Sequence, residues 1–413
     1  MRERVARLRI DTSPLQVSRA FRFFWLGQAL KDLGGELVVV AVPFQMYQLT
    51  GSTLAVGLVG FVELIPLLTL TLVGGALADA MERRRLMLVT QLGIAATTLL
   101  LLANALLAEP RVWALYVLAF AGASFFCLGI GGMRSVVPRL VPEDKVAAAA
   151  VLQSISGSFS AVAGPALAGL CIKFVGLPAT YALDAVAFVP GIAGILQLPR
   201  IEPSPDAGRP SLDSILDGFR YVKTQPVVLG FMLVDLNAMI FGMPMALFPA
   251  IATHRFGDPT LVGYLYAAPY AGALVSSLAS GWIPHVRRQG LAVVLAASGW
   301  GIAIVAFGFA TSLWLSLVLL ALAGAADDVS AIFRSTIMLT ATPDEMRGRL
   351  TVIEFAQVAS GPTLGNTEAG IVAAFTSLRF SIVSGGVLCV VGTIACALAF
   401  PALVRYDSRK KLE

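Results

Sequence analysis

The chain has 413 residues, of which 57% are hydrophobic and only 13% charged, and it carries a formal net charge of +5. Soluble domains have about a quarter of their residues charged, so this composition, with a mean hydropathy of +0.82, excludes a soluble enzyme or binding module and specifies a membrane protein. The hydrophobic fraction amounts to about 235 residues, material for roughly twelve spans of about 20 residues each and little else.

Residues 1–21 are basic and amphipathic. They lack the short apolar core and small-residue cleavage site of a secretory signal, so the first hydrophobic segment is read as a retained span. From there, hydropathy and helix breakers predict spans at 22–48, 53–79, 86–107, 112–133, 146–171, 178–198, 226–251, 260–283, 290–310, 313–334, 350–375 and 380–404. In the first, Gln28, Asp32 and Glu36 fall at i, i+4 and i+8 on one face, with Lys31 beside them. Counting about 1.5 Å per residue from Arg22 puts Glu36 roughly 20 Å into the membrane. The second span holds Glu63 and stops abruptly at "GGALADAMERRR", the sixth holds Asp184, and the third has no ionisable residue. Residues 199–225 form the one long polar interval: a Pro-rich start, then a predicted surface helix from Ser211 with Leu212, Ile215, Leu216 and Phe219 on one side. Beyond it come Asp235 and Asn237 in span seven, Asp327 and Asp328 in span ten, and Glu354, Asn366 and Glu368 in span eleven; spans nine and twelve have no ionisable residue.

Lys and Arg give the orientation, because basic residues near span ends are retained on the cytoplasmic side. With the N-terminus inside, 25 of the 30 basic residues fall on cytoplasmic segments, Arg134 and Arg334 among them. Both termini are therefore expected in the cytoplasm, and this bias accounts for the net charge without a nucleic-acid partner. The expected organisation is a basic segment (1–21), a six-helix half (22–198), a cytoplasmic linker (199–225), a second six-helix half (226–404) and a cytoplasmic tail (405–413).

The halves read as repeats. "GGALADAMERRR" is echoed by "SGWIPHVRRQG", with Gly75 and Asp79 matched by Gly281 and His285; "AGPALAG" is echoed by "SGPTLGN", and "RSVVPRLVPED" by "RSTIMLTATPDE". Repeated halves with a substrate site between them recur among secondary transporters.

Twelve spans in two halves, the loop pattern Gly75, Asp79, Arg83, Arg84 and the Gly164-Pro165…Gly169 motif resemble the major facilitator superfamily. "VAVPFQMYQLTGST", "GYLYAAPYAGA" and "SGWIPH" narrow the likeness to the branch of siderophore and macrolide exporters. The resemblance implies an all-α bundle in which spans 1, 4, 7 and 10 line a cavity, 2, 5, 8 and 11 flank it, and the halves rock about a midplane site. It implies an export function, a small amphipathic substrate, a monomer, no cofactor beyond a proton gradient, and a bacterial inner-membrane location. Drug antiporters of the superfamily often carry an Arg inside span four; here Arg134 stands at that span's end.

An ionised side chain at mid-bilayer costs about 2.5–3.5 kcal/mol, which makes each one inside a span a candidate for proton or substrate contact. The alternative is a structural bridge from Lys31 or Arg134 to one of the acids. Nine acids against one Lys within the spans favour protons and cationic or weakly basic amphiphiles. In span eleven Gly361, Pro362 and Gly365, like Gly164, Pro165 and Gly169 in span five, loosen the helix and permit close packing, which suits moving parts. Asp79 is expected to latch the cytoplasmic gate while Arg83 to Arg85 meet acids such as Glu143 and Asp144. Lipid flipping or uncoupled nutrient transport are the competing transport readings. A membrane enzyme is disfavoured by two histidines at loops, His254 and His285, by the lack of an H-E-x-x-H or P-loop, and by four isolated cysteines that suggest no metal site.

Overall fold

The structure, a computed structural model, describes residues 11–199 and 212–407; the side chains at 72, 76, 78, 79, 131–135 and 212–216 also lie outside the description. The described residues are helical throughout, without a strand. The first six spans are α1 (Arg19–Thr50), α2 (Thr53–Ala80), α3 (Arg83–Ala105), α4 (Val112–Val136), α5 (Val146–Phe174) and α6 (Leu177–Leu196). The linker helix is α7 (Leu212–Thr224), and α8 (Pro226–Phe241) with α9 (Phe248–His254) makes the seventh span. The remainder are α10 (Val262–Leu278), α11 (Gln289–Phe309), α12 (Leu313–Ala341), α13 (Asp344–Phe375) and α14 (Leu378–Ala399). Ten of the spans are long and apolar enough to cross a membrane by length and composition. The other two, α1 and α13, carry Lys31, Asp32 and Glu36, and Glu354 and Glu368.

Apolar runs propagate these helices and glycine ends them. Gly51 (φ 61°), Gly176 (φ 94°) and Gly257 (φ 71°) adopt left-handed backbone at three of the joints, a conformation that costs glycine nothing. Where the halves hold the same motif, local breakers make it differ: α2 runs on to Ala80, whereas α10 stops at Leu278 and Ser280–His285 winds as a 3₁₀ turn around Pro284.

Four expectations on span ends are corrected. Span seven is not continuous, because Gly242 and Pro244 break it after Phe241. Its freed backbone groups are recovered by side chains: Trp300 Nε1 donates to the Gly242 carbonyl at 2.8 Å, and Asn366 Oδ1 accepts from Ala246 N at 3.0 Å. Span eight ends at the 3₁₀ turn. Spans four and ten run past their expected ends at 133 and 334, to Val136 and Ala341, so Arg134 and Arg334 lie within helices rather than at their ends.

Contacts divide the chain into two units. One takes the chain up to Ala41 and from Thr69 to the linker; the other takes Val42–Leu68 with the chain after the linker. In the first, Phe21, Phe24, Met87, Leu152 and Ile195 form a core joining α1, α3, α5 and α6. In the second, Val228, Phe231, Val293, Phe333 and Leu350 do so for α8, α11, α12 and α13. Within the second unit the start of α2 lies directly on α13. Thr53 donates its hydroxyl to the Gly370 carbonyl and Thr367 to that of Gly57, both at 3.2 Å, and a side chain on Gly57 or Gly370 would strike the opposing backbone. Arg255, just past α9, donates to the carbonyls of Phe307, Gly308 and Ala310 and so caps the C-terminus of α11. The linker helix packs through Gly218 and the buried Val222 on α13, whereas Phe219, expected on the apolar side, is exposed.

Candidate functional site

The second unit holds a buried ion pair. Asp235, the tenth residue of α8, and Arg334, in the last third of α12, are almost inaccessible (3% and 8% side-chain exposure), and the guanidinium approaches Asp235 Oδ1 at 2.7 Å. The approach lacks hydrogen-bond alignment, so the two meet as charges. Directional order comes from Gln357 of α13, whose amide donates to Asp235 Oδ2 at 2.8 Å and to the Met232 carbonyl at 3.0 Å. Arg334 also donates to Ser330 Oγ at 3.0 Å and stands 3.9 Å from Asp327 of its own helix. Glu354 lies within electrostatic reach of the same guanidinium. Three helices thus converge three acids and one amide on a single cation, which can be shared or exchanged between carboxylates.

The spacing within α12 explains the convergence. Asp327 and Arg334 are seven residues apart, two helical turns, and so lie on one face. Sequence reasoning placed Arg334 at the cytoplasmic end of span ten; the apolar run Ile337–Met338–Leu339 after it, which keeps the helix going, was the signal to the contrary. Gln357 was missed because nothing local in sequence sets it apart from other amides within spans; its role follows from where α13 meets α8. With Arg334 inside the bundle, the excess of acids that favoured a cationic substrate is smaller than the sequence count.

The first unit disposes its polar groups differently. Lys31 Nζ pairs with its chain neighbour Asp32 at 2.7 Å, and Asp32 is 40% exposed. Gln28 is buried and accepts from Gln91 of α3 at 2.8 Å. Asp184 of the sixth span is 1% exposed, with Thr98 of α3 donating to its Oδ2 at 2.8 Å. Glu36 is half-buried where α1 crosses Gly164 of α5, a crossing that needs glycine because a Cβ would collide with the Glu36 side chain. Pro165 and Gly169 are buried in α5 on the same stretch.

The other expected site residues are scattered. Asn237 turns to α14, donating to the Cys389 carbonyl at 2.8 Å. Asn366 is occupied at the break in span seven, while Glu63 and Glu368 are half-buried on α2 and α13. Asp328 accepts from Ser277 of α10 at 2.9 Å. Gly361 and Gly365, flanking Pro362, pack on Met239 of α8 so closely that neither has room for a Cβ. Of the loop motif, Gly75 is half-buried and the side chain of Asp79 lies outside the described residues, as does that of Arg134. Arg83 is buried. Arg84 does not meet Glu143 or Asp144: it donates to the Leu198 carbonyl at 3.1 Å, and Asp144 faces Lys145 at 3.9 Å. A last constellation, Tyr47 Oη bonded to His254 Nε2 at 2.7 Å, joins the end of α1 to the end of α9 beside a cavity.

Residues 11–411 match the family described as "Transmembrane secretion effector". The chain is 31% identical over 386 residues to the enterobactin exporter EntS of Shigella boydii serotype 18, covering 93% of each. In fold it is similar to a bacterial homologue of the human lysosomal transporter Spinster (TM-score 0.72, 14% identity, 94% of this chain and 98% of that one). It is likewise similar to a bacterial homologue of the iron transporter ferroportin (TM-score 0.65, 18% identity, 92% and 98%).

Proposed function

The chain belongs to the major facilitator superfamily, in the branch of transmembrane secretion effectors that contains the enterobactin exporters, and from that premise we propose that it exchanges protons for a small amphipathic cargo, siderophore-like compounds being the first class to test. Export of a small molecule as a multi-pass protein of the inner membrane, and transport rather than enzymatic chemistry, come with the family. Proton coupling, the amphipathic character of the cargo, cytoplasmic termini and action as a monomer belong to this reading.

The observation that carries the coupling is the Asp235–Arg334 pair. Intramembrane acids paired with a basic residue are the usual elements of proton relays. A proton arriving on Asp235 removes its attraction for Arg334, whose alternative partner, Asp327, is 3.9 Å away. The guanidinium then redistributes between α8 and its own helix, and loss of the proton draws it back. Because α8, α12 and α13 all contribute to the cluster, the charge state of one carboxyl biases the packing of three helices. Each proton moved inward gains about 2.3 kcal/mol per 100 mV of membrane potential. Gating at the two glycine-rich crossings, Gly164 on α1 and Gly361–Gly365 on α8, and a latch at Asp79 complete the proposal.

The test is proton flux in proteoliposomes with an imposed pH gradient, challenged in turn with a catecholate siderophore, a macrolide and a cationic dye. Cargo-dependent flux in wild type that Asp235→Asn abolishes supports antiport and names the cargo class. Cargo movement with no proton flux makes the protein a uniporter and reduces the ion pair to a structural bridge.

A further inference from the structure

Beyond the buried ion pair, the second unit contains a cavity of about 320 Å³ where the end of α1 meets α9 and the following loop. Phe44 and Tyr47, both buried, form its floor; Gln48 and His254, both exposed, form its mouth; Thr253 lies between. Tyr47 and His254 are fixed against each other edge to face, with ring centroids 6.1 Å apart, as well as by their hydrogen bond. Gly51 turns the chain away at the rim with left-handed backbone and no neighbour within 4 Å of where a Cβ would sit, so the mouth stays open.

We propose that this cavity is a binding site for a single aromatic ring carrying a hydroxyl or carboxylate, separate from the charged cluster of α8, α12 and α13. Size sets the first limit. An enclosed cavity of about 150 Å³ holds benzene and drug-sized pockets begin near 300 Å³, so this one accepts a substituted ring and not a large multi-ring compound. The lining sets the second: a ring inserted between Phe44 and Pro249 has aromatic and aliphatic faces to stack on, and its polar edge meets Gln48, Thr253 and the Tyr47–His254 pair. Charge sets the third. No carboxylate lines the cavity, and the two charged residues nearest in the chain are committed elsewhere, Asp258 to the Thr260 amide at 2.9 Å and Arg255 to the end of α11. A neutral or anionic ring is therefore accepted, and an ammonium finds no counter-charge among the lining side chains, opposite to the preference of the acid-lined cluster.

The full-length protein in phosphatidylcholine nanodiscs is titrated with 4-fluorophenol, 4-fluorobenzoate and 4-fluorobenzylammonium, observed by fluorine NMR against empty nanodiscs. The phenol and the benzoate bind in excess of the lipid background, at least about tenfold tighter than the benzylammonium. Thr253→Phe, which fills the cavity, and Gln48→Trp, at an exposed rim position that leaves the fold intact, each weaken phenol binding by about tenfold or more. Tyr47→Phe weakens it by about threefold to tenfold through loss of one hydroxyl. Asp235→Asn leaves phenol binding unchanged, so failure of the antiport reading and failure of this site are separate results. Phenol binding that survives both filling variants, or a benzylammonium bound as tightly as the benzoate, overturns the proposal.

Discussion

The two units use the same kind of helix and pair their most closely bonded charges differently. In the second, Asp235 and Arg334 sit on different helices, 99 positions apart in sequence, and neither has appreciable access to solvent. In the first, Lys31 pairs with its chain neighbour Asp32, which is open, and the deeply buried acid, Asp184, accepts from the neutral hydroxyl of Thr98. A pair on adjacent residues of one helix reports nothing about how helices pack. A pair between helices must be broken or re-formed whenever they shift, so the Asp235–Arg334 pair of the second unit is of the kind that couples to motion.

The contrast can be broken most severely at Arg334. Removing one member of a buried pair strands the other charge, so Arg334→Gln is expected to destabilise the protein by about 3–5 kcal/mol, read as a lower midpoint in a thermal-shift assay in detergent. The double variant Asp235→Asn/Arg334→Gln recovers most of that stability, and transport stays lost; a double variant as unstable as the single one places the defect in packing and not in charge. Next in size is Gln357→Leu, which removes a hydrogen bond to a charged acceptor and is expected to cost about 1.5–3 kcal/mol. Asp235→Asn separates the units kinetically: cargo-driven proton flux falls by about tenfold or more, equivalent to about 1.4 kcal/mol in the barrier, whereas Asp184→Asn stays within about threefold of wild type. Equal losses in the two variants would mean that both units carry the proton. Smallest is Thr98→Val, a loss of about 1 kcal/mol in thermal stability with flux retained.

How much of this was legible beforehand follows from what is local. Span positions could be read because an apolar run of about 20 residues is a property of contiguous sequence. Helix ends were harder where a basic residue interrupts the run. The rule that assigns Arg and Lys to the cytoplasmic ends of spans cannot separate an end from a helical turn buried among neighbours, and Arg334 was read as an end. The break at Gly242–Pro244 was similarly absorbed into an apolar run, since hydropathy averages over a turn that the Gly and Pro pair interrupts. Among the acids, the sequence identified which residues were costly to bury and not which would meet. Asp235 finds its partners on α12 and α13, Asp184 on α3, and Asn237 turns away to α14; each outcome depends on which helix faces are apposed, and that is fixed only by tertiary packing.

The interrupted seventh span bears on how the protein is made. Its first part, α8, has 16 residues and reaches only about 24 Å, short of a hydrocarbon core of about 30 Å, so the break forms at membrane depth. The groups that satisfy it come later in the chain: Trp300 follows Gly242 by 58 residues, and Asn366 follows Ala246 by 120. At a synthesis rate of about 5–20 residues per second, the Ala246 amide waits roughly 6–24 s for its partner. During that interval the nascent helix needs shelter from lipid, which the insertion machinery or the six earlier helices must supply, and a ribosome stalled before Asn366 would leave an incompletely paired span exposed to membrane quality control.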